Sequence, residues 1–168
     1  MSYEINVLVI NQETPVHVSF STPIILLNEI EQSEFFGRYF KIWPFFSCTK
    51  GVLYTLVQEV DDDFYSSFPL CDSDFETSTV DFETPEWITE EARSCLTPLI
   101  IHDHVYEDFK RIISYLIETS PNGLIMFHTR YEWGDTEIIS GTLSVDQFFE
   151  LLEKRRILFN TCYIISQS

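Results

Sequence analysis

The chain has 168 residues, with 27 Asp and Glu against 10 Lys and Arg, for a formal net charge of -17. That length suits one domain with a substantial core, and 45% apolar residues with 15 Phe and 8 Tyr exclude a disordered chain. The charge repels nucleic acid and anionic membrane and draws basic partners from a distance.

In chain order, Glu4–Ile10 alternates as a strand, and Val16, Val18 and Phe20 alternate within Pro15–Phe20. With NQETP between them, the two runs predict a hairpin. Ser21, Thr22 and Pro23 resemble a helix start. The following IILLNEIEQSEFF fits either a helix to about Phe36 or a strand and then a short helix. Gly51–Val60 is rich in Val, Leu and Tyr and predicts a strand.

Thr84 then fits an N-cap with Pro85 in the first turn, giving a helix whose Trp87, Ile88, Ala92, Cys95 and Leu96 share a face before Thr97-Pro98 ends it. Asp103–Glu118 carries the strongest helical periodicity, with Asp103 as candidate N-cap. Val105, Tyr106, Phe109, Ile112, Ile113, Leu116 and Ile117 recur at spacings of three and four. SPNG at 120–123 stops that helix. Leu124–Tyr131 and Thr136–Leu143 predict a hairpin about the EWGD turn at 132–135. Ser144 and Gln147 have the spacing of a capping box, opening a helix over Val145, Phe148, Phe149 and Leu152. Leu158–Ser166 predicts a closing strand. The fold expected is α+β: a single domain over 1–168, with a mainly antiparallel sheet, about three to four helices and a C-terminal strand-strand-helix-strand unit.

Chemical motifs are missing. There is no phosphate loop, no dinucleotide fingerprint, no nucleophile elbow and no H-E-x-x-H. Cys48, Cys71, Cys95 and Cys162 lie too far apart for a C-x-x-C site and are expected as reduced, core-packed thiols. A Cys–His nucleophile pair has no sequence signal that favours one cysteine. His102-Asp103-His104 is the nearest approach to a metal pair, but spacing supplies no third ligand. His17 and His128 sit in predicted strands. The expectation is a non-enzyme with no catalytic residue, metal or cofactor. The N-terminus lacks a basic, apolar leader and no apolar run is long enough to span a bilayer, so a cytoplasmic chain without membrane contact is expected.

The informative stretch is VDDDFYSSFPLCDSDFETSTVDFETPEW, at 60–87. Between Glu59 and Glu91 lie 12 acidic residues, and no Lys or Arg occurs from Gly51 to Ala92. Outside that window 15 acids face 10 bases, so the excess charge is concentrated. Six aromatics are interleaved with these carboxylates, whereas a purely solvating acidic tail is poor in rings. Aromatic anchors among charges suit recognition of a basic protein surface. The candidate contact residues are Asp61, Asp62, Asp63, Asp72, Asp74, Glu76, Asp81 and Glu83 for electrostatics, with Tyr65, Phe68 and Trp87 as anchors. The competing reading is an acidic surface loop whose rings only pin it to the core.

In composition, and in the texture of GLIMFHTRYEWGDTEIISGTLSVDQFFELLEKRRILFNTCYIIS at 123–166, the chain resembles bacterial immunity proteins of contact-dependent growth inhibition and other polymorphic toxin systems. The resemblance implies a stoichiometric complex with one cognate toxin domain, commonly a nuclease. It carries over no site residue, because such families share none. The expected function is therefore a bacterial, cytoplasmic toxin inhibitor that occludes a basic active-site cleft, with no nucleic acid as its own ligand. A nucleic-acid-mimicking inhibitor from a phage or mobile element shares the same physics. A small metal-dependent hydrolase built on His102, His104 and nearby carboxylates is the alternative of a different class.

Overall fold

A computed structural model describes residues 3–28, 49–62, 64–76, 86–131 and 138–168. Nine strands dominate it: β1 (Tyr3–Ile10), β2 (Ile25–Asn28), β3 (Gly51–Asp61), β4 (Phe64–Ser66), β5 (Cys71–Ser73), β6 (Leu99–Ile101), β7 (Leu124–Tyr131), β8 (Ile138–Ser144) and β9 (Thr161–Ser166). The helices are α1 (Glu90–Ser94), α2 (Asp103–Thr119) and α3 (Val145–Glu153). The main sheet runs β2-β3-β1-β7-β9-β8, with β4 paired to the far end of β3, and β5 pairs with β6 apart from it.

The expectation of three to four helices is corrected. Among the described residues only α2 and α3 exceed two turns, and α1 is a single turn of five residues. The class is mixed α and β, and mostly sheet. The apolar face expected across Trp87, Ile88 and Cys95 does not form on one helix, because α1 begins only at Glu90; Thr84 and Pro85 fall outside the described residues.

The sheet buries alternate side chains. Ile5, Val7 and Val9 of β1 lie opposite Leu56, Tyr54 and Val52 of β3. On the other flank Val7 and Val9 meet Phe127 and Ile125 of β7, which in turn meet Tyr163 and Ile165 of β9. These residues form one core cluster with Phe109, Ile112, Ile113 and Leu116 of α2 and Phe148 and Leu152 of α3. α2 lies on this face because its apolar stripe is what the sequence periodicity describes; its first helical residue is Asp103, and the N-cap is His102, not Asp103. The opposite sheet face holds Leu8, Leu53, Met126 and Cys162, also buried.

Two expected hairpins are also corrected. Pro15–Phe20 is not a strand, and β1 is flanked by β3 and β7. Val16, Val18 and Phe20 do pack on the core, but side chains satisfy the local backbone. The Val16 N–H donates to the Tyr54 hydroxyl at 2.8 Å, Tyr54 bonds Gln12, and the Tyr115 hydroxyl donates to the His17 carbonyl at 3.0 Å. Thr22-Pro23 starts no helix, for the chain runs into β2, whose Ile25–Asn28 pairs with β3. The rest of the ambiguous segment, from residue 29, lies outside the described residues.

At the C-terminal end β7 and β8 do not pair. β9 inserts between them, antiparallel to β7 and parallel to β8. Parallel neighbours need a crossover, and α3 supplies it, so β8-α3-β9 is a βαβ unit. The EWGD turn lies outside the described residues. The capping box at the start of α3 is present: the Ser144 hydroxyl accepts from the Gln147 N–H, and Gln147 Oε1 accepts from the Ser144 N–H at 2.9 Å. Ser144→Ala is expected to cost about 1 kcal/mol of stability, seen as a lower urea midpoint at unchanged slope.

One glycine is sterically required. Gly51 opens β3 opposite Ile10, and a Cβ there would lie 2.3 Å from the Val9 carbonyl oxygen.

Candidate functional site

The acidic segment is built on the end of β3. That strand runs past the start of β1, and β4 folds back on it, with Glu59 opposite Tyr65 and Asp61 opposite Phe64. A register shift between Glu59 and Asp61 marks a bulge, which adds local twist. The root of the hairpin is fixed by Ser67. Its buried hydroxyl accepts from the Ile5 N–H at 3.2 Å and donates to the Leu56 carbonyl at 2.6 Å. Beyond that root, Glu59, Val60, Asp61 and Asp62 line a shallow, wide-open hollow.

The exposure of the rings bears on whether this segment is a pinned loop or a contact surface. Val60, Phe64, Phe68, Phe75, Trp87 and Ile139 are the exposed large hydrophobics among the described residues, and all but Ile139 lie within 60–87. Trp87 is 70% exposed and Phe68 is 59% exposed. Scattered apolar exposure is ordinary, but its concentration in the stretch that also holds the excess charge is not. Tyr65 is half-buried.

The nominated carboxylates divide. Asp61, Asp62, Asp72 and Glu76 are exposed. Asp74 is 8% exposed, and its Oδ2 lies 2.8 Å from an Arg155 guanidinium nitrogen, so its charge is committed within the chain. Its Oδ1 accepts from the Glu76 N–H at 3.1 Å. Asp63, Asp81 and Glu83 lie outside the described residues. Residues that the sequence did not nominate also bear on this segment: Val60, Phe64 and Phe75 by exposure, and the buried Tyr3, which bonds Asp72 across 69 positions. The first three lie within the stretch, though their exposure carries no sequence signal, and Tyr3 carries no local signal at all.

Bases gather elsewhere. On α2 the Arg111 guanidinium lies 4.0 Å from the centre of the Phe20 ring, and the Lys110 ammonium 5.6 Å from the centres of the Tyr106 and Phe149 rings. Lys154 pairs with Glu150 along α3. The helical flank thus spends several of its cations on aromatic faces and local pairs, while the β3–β4 hairpin has none.

The His102 and His104 rings stack, with centroids 5.8 Å apart and planes 20° apart. Among the described residues no group of three His, Cys, Asp or Glu gathers to hold a metal. β7–β9 register does place His128 opposite Cys162, with Asn6 on the other side of His128. That is the Cys–His pairing the sequence could not single out, yet both side chains are fully buried and out of reach of a substrate. Burial first, and then the Arg130 charge, lowers the His128 pKa to about 3, so its imidazole is neutral at physiological pH. Burial, aided by Asp72, holds the Cys71 thiol well above its usual range, against a thiolate nucleophile. Among the described residues no helix is long and apolar enough to cross a membrane.

Compared with protein-family models, with curated proteins and with solved structures, the chain matches none.

Proposed function

We propose that this protein is a non-enzymatic inhibitor, an immunity protein of a polymorphic toxin system. In this reading it acts in the bacterial cytoplasm and seats its acidic, aromatic segment on a basic toxin domain. A nuclease is the favoured target, because an active site that binds a polyanion is itself positive, and carboxylates laid into such a cleft compete with phosphate. The observation that carries the reading is the coincidence of exposed rings and concentrated charge on one segment. Rings supply contact area that loses little conformational freedom on binding, and the charges steer encounter and reject wrong partners.

The test takes the toxin domain encoded beside this chain, purified alone and with it. A 1:1 complex that abolishes the domain's nuclease activity is expected. Neutralising the charges of this segment with Asp61→Asn, Asp62→Asn and Asp63→Asn should slow association about tenfold at low salt and flatten its salt dependence. Association rates that do not change at either low or physiological salt would remove the hairpin from the interface. Absence of any complex in both conditions would end the inhibitor reading, and recovery of a host or phage-directed nuclease in place of a toxin would move it to the nucleic-acid-mimicking class.

A further inference from the structure

One part of this surface has more built geometry than a spread of charge. Tyr3 is buried, at 5% exposure, and holds two groups at once. Its ring stacks with that of Phe68, with centroids 6.2 Å apart and planes 16° apart. Its hydroxyl donates to Asp72 Oδ1 at 3.2 Å, and the Ser73 N–H donates to the same oxygen at 2.7 Å. Tyr3 is itself anchored by its contact with Phe159, centroid to centroid 5.2 Å, and Phe159 is fully buried.

One buried tyrosine thus holds both a phenyl ring, stacked with its own ring, and a carboxylate, bonded to its hydroxyl. Phe68 takes Tyr3 as its one ring contact among the described residues and remains 59% exposed, so part of its surface is left to a partner. Asp72 is exposed, and both hydrogen bonds it accepts fall on Oδ1. The second oxygen is left to solvent or to a ligand.

A planar cation with several donors suits that pair. A guanidinium stacks on an aromatic face and directs its N–H groups to a neighbouring carboxylate. A lysine ammonium is compact and strongly hydrated, and makes one of those contacts well at the expense of the other. No Lys or Arg of this chain occurs between Gly51 and Ala92 to fill the place from nearby in sequence. We infer that Phe68 and Asp72 form a seat for an arginine side chain of the basic partner. The inference rests on the reading of the acidic segment as a protein-binding surface, and adds which cation the surface selects.

The probes are two blocked tripeptides, acetyl-Gly-Arg-Gly-amide and acetyl-Gly-Lys-Gly-amide, titrated into the full chain and followed by amide chemical shifts. The arginine peptide is expected to shift the amides from Phe68 to Ser73 and to bind about threefold more tightly than the lysine peptide. Phe68→Ala and Asp72→Asn should each erase that preference, whereas Asp61→Asn should lower both affinities together and keep their ratio. Phe68→Leu, which keeps apolar bulk but no ring, should behave as Phe68→Ala. Equal affinities on this segment would overturn the arginine seat and leave the acidic surface standing. Shifts from neither peptide anywhere in 60–87 would overturn both.

Discussion

Replacing Phe127 by alanine is expected to lower stability by about 3–5 kcal/mol, and the same truncation at Trp87 by no more than about 0.5 kcal/mol. Phe127 is fully buried at the centre of β7. It faces Val7 on one neighbouring strand and Tyr163 on the other. Its ring also meets both long helices edge-on, Phe109 of α2 at 6.0 Å between centroids and Phe148 of α3 at 4.9 Å. Its removal opens a cavity that the sheet and two helices would all have to close. Trp87 has as large an aromatic surface but is 70% exposed, so little of it is withdrawn from water on folding. Urea unfolding of both variants measures the contrast. A loss of more than about 2 kcal/mol at Trp87 would mean that this ring pins the segment to the core, which would weaken the case for a contact surface. Comparable truncation at Phe64, which is 55% exposed, extends the test to the hairpin.

Some local signals match the structure, whereas others, such as the helix start at Thr22-Pro23 and the cap at Asp103, do not. The stripe from Val105 to Ile117 specifies α2 within its own residues, and the Ser144–Gln147 spacing specifies the capping box within four. Alternation, by contrast, reports burial and not pairing. Val16, Val18 and Phe20 alternate and do reach the core, yet their backbone is held by tyrosine hydroxyls from β3 and α2. Likewise β7 and β8 both read as strands, but the parallel crossover through α3 places β9 between them, a choice made across the whole sheet. In the acidic segment, charge and aromatic content were legible and orientation was not. Burial of Asp74 follows from Arg155, 81 positions away, and the stack under Phe68 from Tyr3 at the other end of the chain. Exposed rings look the same as core rings until those distant partners are in place.

Acid should destabilise the protein through one residue on the sheet. His128 is fully buried in β7, between Asn6 and Cys162, with Arg130 two positions along and on the same face. The charged groups nearest in that row are Arg130 and the Glu4 carboxylate that pairs with it at 3.4 Å. Burial, and then the Arg130 charge, lowers the His128 pKa from 6.5 to about 3. The unfolded chain therefore takes up a proton near pH 6.5 that the folded chain refuses until about pH 3. The stabilising contribution of the neutral imidazole is complete above pH 6.5 and is lost as pH falls through that window. At about 1.4 kcal/mol per pH unit, the loss by pH 5 is about 2 kcal/mol. The surface carboxylates act in the opposite sense, since protonating them relieves the repulsion of a chain at -17. Raw acid titration therefore mixes two effects, and the decisive measurement compares wild type with His128→Gln at each pH. The variant is expected to be less stable at pH 7.5, where it loses a packed imidazole, and to gain on wild type by about 2 kcal/mol between pH 7 and pH 5. Curves that stay parallel across that interval would show that His128 accepts a proton without leaving the sheet, and would remove the buried neutral imidazole from the account of this fold.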